Sequence, residues 1–133
     1  MRQEHVAIVS RIVARQLRRG VKQIESRFSV HKRPPFDRVS VGDRLHFKVS
    51  GGGVIGSAVV TRVRQFAELS PRRVLTLRRR FNAAIGASGR YWQVRRHCLY
   101  GVLIWFAPLT PPARPVHVAR QYGSGWLVLP KGR

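Results

Sequence analysis

Gly20-Val21-Lys22-Gln23-Ile24-Glu25-Ser26-Arg27 decides the reading of this chain, because the pattern changes there from helix to strand and gathers two cations and a carboxylate. Upstream, Arg11 to Arg19 sets apolar Ile12, Val13 and Leu17 beside Arg11, Arg15, Arg18 and Arg19. Those arginines recur at helical spacing, so a helix puts them on one face. Gly20 is its natural stop. His5 to Ser10, before the helix, is a short apolar run that reads as a buried strand. Lys22 to Phe28 reads as a second strand.

Downstream, Ser29 to Gly42 holds Pro34 and Pro35, which exclude a helix or central strand, and is expected to be a loop. From Asp43 to Val49, Leu45, Phe47 and Val49 alternate with Arg44, His46 and Lys48, the signature of a half-buried strand. Gly51, Gly52, Gly53 and Gly56 then precede a β-rich stretch from Ser57 to Phe66, which together make a hairpin. Ser70 followed by Pro71 is an N-cap with proline at the first helical position, opening a helix to about Ala84. Its polar face carries Arg72, Arg73, Arg79 and Arg80. Arg90 to His97 reads as a further short helix, and Tyr100 to Ala107 as the most apolar strand. A turn from Pro108 to Pro115 leaves room for short strands near Val116 and at Trp126 to Leu129. With no repeat, low-complexity tract or long linker, residues 1–133 are expected to form one α+β domain, a small, partly closed β-barrel with peripheral helices.

The 26 Lys and Arg face five acids, Glu4, Glu25, Asp37, Asp43 and Glu68, for a formal charge of +21. Most cations therefore lack an internal partner and are available to external anions, of which nucleic acid is the commonest large one. With 44% hydrophobic residues the chain still has the material for a core, so the charge does not signify disorder. The single Cys98 excludes an internal disulfide framework, and no Cys/His spacing suits zinc. The longest apolar run, Leu99 to Leu109, is shorter than the roughly 20 residues that span a bilayer. The expectation is a cytoplasmic protein without metal, cofactor or membrane partner.

Four groups are candidates for binding. Lys22 and Arg27 flank Glu25, so one cation is left for a phosphate; the alternative is that Glu25 bridges both cations and braces the barrel. Lys32 and Arg33 precede Pro34, Pro35 and Phe36, a stiff loop with charge beside an aromatic ring, suited to phosphate contact and base stacking; alternatively Phe36 plugs the barrel end. Lys48, Ser50 and Gly51 offer a cation, a hydroxyl and open backbone amides, as in an anion-cradling turn, or a plain hairpin. Trp126, after Gly123-Ser124-Gly125, lines a base pocket or packs the core, and Trp105 belongs to the core. Arg15, Arg19, Arg72 and Arg79 extend the footprint if their helices turn these faces to the cleft.

The opening stretch matches G-x-K-x-x-E-x-R and resembles the ASCH domain family, whose fold is a PUA-like barrel. The resemblance continues through ESRF, KRPPF and VGDRLHFKVSGG. It implies a small prokaryotic ASCH protein that binds RNA, with the motif beside the binding cleft. Some members are instead hydrolases on RNA or on a modified nucleoside. The amidohydrolase members use the motif lysine, a threonine three residues later and a glutamate in the helical insertion. Lys22 matches the first, Glu25 replaces the second, and Pro71 to His97 contains no acid. RNA or single-stranded nucleic acid is thus the expected partner. A hydrolase centred on Lys22 and Glu25, with His31 or His46 nearby, or a reader of a nucleoside or small anionic ligand, is the alternative.

Overall fold

The computed structural model describes residues 2–112, 114–116, 118 and 125–130. Six strands and three helices follow in the order β1 (Glu4–Val9), α1 (Arg11–Arg18), β2 (Ile24–Ser29), β3 (Arg44–Val49), β4 (Val54–Phe66), α2 (Pro71–Ile85), α3 (Gly89–Val94), β5 (Tyr100–Phe106) and β6 (Trp126–Val128). The sheet order is β2-β5-β4-β3-β1-β6. Among the described residues only the β1–β3 pair is parallel, and α1 begins the crossover that this pairing needs. This is a curled α+β half-barrel, as the alternating patterns imply.

The curl depends on β4. Its first half pairs with β3 and its second half with β5, and the register shifts between Val60 and Arg62, where the ladder changes partner. A bulge of this kind bends a strand and increases its twist. One core fills the inside of the curl, with Ala7, Leu45, Phe47, Val60, Val102, Ile104 and Trp126 meeting Ala14 and Leu17 of α1. A second core lies on the other side of β5, where Ile24 and Leu103 meet Val74, Leu77, Ile85 and Trp92 of the helical insertion.

Each helix starts on a serine whose side chain accepts a backbone N–H: Ser10 from Val13, Ser70 from Arg73 and Ser88 from Tyr91. Gly86, at φ +75°, ends α2 in the left-handed conformation that glycine tolerates. Both helical expectations in the insertion hold, although α3 closes at Val94, three residues before His97.

Two strand expectations change. Lys22 and Gln23 precede β2, because this turn is held elsewhere: Val21 N–H donates to Gln16 and Gln23 N–H to Ala84. Val116 lies in irregular backbone. Conversely, β4 begins at Val54, three residues earlier than its apolar run suggests. Among the described residues no helix is long and apolar enough to cross a membrane.

Candidate nucleic-acid interface

The curled sheet leaves a seam between its two ends, with β2 on one side and β1 and β6 on the other. Arg27 of β2 spans it. One guanidinium nitrogen donates to the Ile8 carbonyl and another to the Gly125 carbonyl, each at 3.0 Å, while Nε donates to Glu25 Oε2 at 2.7 Å. The same guanidinium stands 5.2 Å from the centre of the Trp126 ring.

Cavities open on both sides of this bridge, and Arg27 and Phe28 line both. The larger, about 600 Å³, runs between β2, the start of α1 and the junction of α2 with α3, and is lined by Lys22, Glu25, Ser26, Gln16, Tyr91 and Arg95 among others. The smaller, about 180 Å³, is lined by Arg33, Pro34, Pro35, Phe36, Tyr100 and Trp126.

Lys22 is 7% exposed and Glu25 is 4% exposed. Lys22 Nζ donates to the Ile85 carbonyl at 2.7 Å and stands 3.7 Å from Glu25 Oε1. Burial pushes the Lys22 pKa below its ordinary value, and the Glu25 carboxylate only partly offsets that. Glu25 therefore bridges both cations, one oxygen to each. The Arg27 donors are committed to the seam, so of the two motif cations Lys22 is the one left to face the cavity.

Tyr91 and Arg95 complete the wall opposite. The Tyr91 hydroxyl donates to the Ser26 carbonyl at 3.1 Å and stands 2.7 Å from Ser26 Oγ, and burial raises its pKa. The Arg95 guanidinium lies 3.7 Å from the centre of the Tyr91 ring, a cation stacked on an aromatic face at the cavity rim.

No protein-family model and no curated protein matches the sequence. Solved structures match the fold. The ASCH protein from Zymomonas mobilis superposes at a TM-score of 0.70 over 98% of this chain and 90% of that one, at 18% identity. A tyrosine-to-phenylalanine variant of that protein matches at the same TM-score over 98% and 92%, at 19% identity. The chain has the ASCH fold. Within that fold, Lys22, Glu25 and Arg27 of the opening stretch sit at the seam, beside the larger cavity.

The other expected positions divide. Arg33 and Phe36 line the smaller cavity, and Lys32 stands 5.8 Å from the Phe36 ring and 6.0 Å from that of Tyr100. Phe36 packs on the inner core and also lines the smaller cavity. Trp126 does the same: it is 5% exposed and donates from Nε1 to His5 Nδ1 at 3.1 Å. Gly123 and Ser124 before it lie outside the described residues.

Lys48, Ser50 and Gly51 line neither cavity. They form the β3–β4 hairpin, where Ser50 N–H donates to Val9 and Gly52 N–H to Val49, so the cradle is already partly spent on the turn. The arginine face of α1 also turns away, because Ile12, Val13 and Gln16 face the larger cavity while Arg15 is exposed and Arg19 lines a groove on the far side of the helix. Arg72 and Arg79 of α2 are exposed and line neither cavity. His46 is buried between Ser57 Oγ and Glu4 Oε1, at 2.6 and 2.7 Å, away from both.

Sequence reading missed Ser26, Tyr91 and Arg95. The available signals were the expected short helix from Arg90 to His97, which sets Tyr91 and Arg95 one helical turn apart, and Ser88 as its N-cap.

Proposed function

We propose that the chain is an ASCH-family protein that binds RNA or single-stranded nucleic acid across the seam, with a nucleotide entering the larger cavity. The observation that carries this reading is how the acids are used. Among the described residues, the only carboxylate paired with Lys or Arg is Glu25. Glu4 and Asp43 bond to His46 and His5. The surface arginines thus lack internal counter-charge, as expected of a protein that meets phosphates. A cavity of about 600 Å³ lies in the range that ordinarily holds a small organic ligand, and Lys22, Tyr91 and Arg95 offer it a cation, a hydroxyl and a stacking surface.

The test is a titration of labelled RNA at two salt concentrations. With six to ten phosphate contacts, affinity falls by roughly 10³ to 10⁵ between about 50 and 200 mM salt. A flat response overturns the reading.

Chemistry on the bound nucleotide has one observation in its favour, the buried Lys22 with a lowered pKa. Against it, Glu25 is held by Arg27 and Lys22, which leaves the cavity without a free carboxylate base among its described lining residues.

A further inference from the structure

On the outer face of the sheet, β4 and β5 carry a second array that no part of the cleft reading uses. Val63 turns inward to the core, so Arg62 and Arg64 emerge on the opposite face. Arg62 is the cross-strand partner of Trp105, and its guanidinium lies 4.6 Å from the centre of that ring. Arg64 lies 5.2 Å from the Phe66 ring and 5.8 Å from that of Phe81, and Arg80 of α2 lies 5.1 Å from Phe81 on its own helix. Phe81 meets Trp105 edge to face, with ring centres 5.6 Å apart. The rings are half-buried against the outer core, so their positions are fixed by packing.

The cations of this array are unspent. Arg62, Arg64 and Arg80 donate no hydrogen bond to any described residue and have no carboxylate within ion-pair distance among them. Arg62 and Arg64 rise from one face of one strand about 7 Å apart, so like charges gather here without a counter-ion. The strip continues past Trp105 into a groove of about 680 Å³ lined by Arg18, Arg19, Thr61, Phe106 and Pro108.

A flat guanidinium laid on an aromatic ring keeps its N–H groups at the edge and offers a planar cationic face. A single strand can use both, with phosphates on the edge donors and bases on the planes. Duplex nucleic acid can use only the first. We infer that this strip is a second contact surface for single-stranded nucleic acid, on which bases stack against Arg62 with Trp105 and against Arg64 and Arg80 with Phe81. The inference rests on the nucleic-acid reading above and names where the strand runs once it leaves the cleft.

The experiment uses the full chain and a labelled RNA of about 12 nucleotides, a length within the site sizes of single-strand binders. Trp92 is 3% exposed, and Trp126, though 5% exposed, lines the smaller cavity, so the part of the tryptophan quenching by RNA that Trp105→Phe removes is what reports on Trp105. R62K/R64K/R80K keeps the charge and removes the stacking planes. It is expected to lower single-strand affinity at least about fivefold with little change in salt slope. R62Q/R64Q/R80Q is expected to lower affinity further and to make the salt slope shallower by about two. Circular dichroism and thermal melting of both variants confirm the fold.

Wild-type binding with quenching, lost in both triple variants, supports the strip. Wild-type binding that both variants retain overturns the strip and leaves the cleft reading standing. A loss in the Gln variant with none in the Lys variant overturns the stacking track, since a diffuse cationic face then suffices. No binding by the wild type overturns the nucleic-acid reading and the strip with it.

Discussion

Arg27 donates to the Ile8 carbonyl at 3.0 Å across the seam that separates β2 from β1. In sheet order these strands lie near opposite ends, so one side chain joins the ends of an open, curled sheet. The position that anchors the sequence motif is therefore architectural first, and its charge is shared among Ile8, Gly125 and Glu25. Lys22, five residues earlier, keeps a face toward the cavity.

Arg27→Met is expected to destabilise the fold by about 3 kcal/mol, because it leaves Glu25 buried with one distant partner and removes the seam bonds. Arg27→Lys keeps a charge near Glu25 but cannot reach two carbonyls at once, and a smaller loss of about 1–2 kcal/mol is expected. Urea denaturation measures both. A midpoint for Arg27→Met equal to that of the wild type contradicts the bridging role.

Acid sensitivity is expected from His5. The ring is fully buried, accepts the Trp126 indole N–H at Nδ1, and so presents an Nε2 proton to Asp43 Oδ2 at 2.9 Å. Protonation would set two N–H groups against each other. Burial lowers the His5 pKa despite Asp43, with Arg38 and His46 adding to the lowering. The unfolded chain therefore takes up a proton below the ordinary value of 6.5 while the folded chain does not. Stability falls as pH drops through that value, at up to about 1.4 kcal/mol per pH unit, until the folded His5 also titrates. Trp126→Phe removes the competing donor and is expected to flatten this slope. Urea midpoints between pH 7 and about pH 5 measure it, and an equal slope in the two proteins contradicts the account.

Most of the architecture was legible in local pattern. Alternation in β3, the serine–proline start of α2 and the apolar run of β5 gave elements at nearly their observed positions. The larger cavity was legible only at Lys22, Glu25 and Arg27, which one stretch of sequence supplies. Tyr91 and Arg95 come from a helix whose approach to β2 depends on the outer core around Trp92, and that packing has no local signature. The arginine rows show the same limit: helical spacing correctly groups Arg15 and Arg19 on one side of α1, but the direction of that side follows from Ala14 and Leu17 entering the inner core.

Lys22→Met separates binding from catalysis. Its stem volume is kept, while the ammonium that faces the cavity is lost. Under the binding reading, affinity for RNA falls by about five- to tenfold, the worth of one charge-assisted contact, and neither protein cleaves the RNA. Because the Lys22 pKa is lowered, its charge is lost at a pH below that of an ordinary lysine. The advantage of wild type over Lys22→Met is therefore expected to shrink as pH rises, before the arginines change. Cleavage by nuclease-free wild type that disappears in Lys22→Met would instead establish the hydrolase reading.

Phe28 reaches both cavities, and Gly101 is what admits it. A Cβ at position 101 would stand 2.6 and 2.7 Å from two Phe28 ring carbons and 3.2 Å from a Leu69 methyl. Gly101 pairs directly with Phe28 in the β2–β5 ladder, and the ring is held from the other side by Trp92 at 5.5 Å between centres. The ring also lines both cavities. Gly101→Ala is therefore expected to cost about 1–3 kcal/mol by overpacking and to weaken RNA binding by narrowing the cleft. Adding Phe28→Leu shortens the side chain and removes the clash, so the double variant should recover most of the stability lost to Gly101→Ala alone. The two substitutions are then coupled, as expected of residues in contact. Independent, additive losses in a double-mutant cycle followed by urea denaturation would show that Gly101 does not seat the ring.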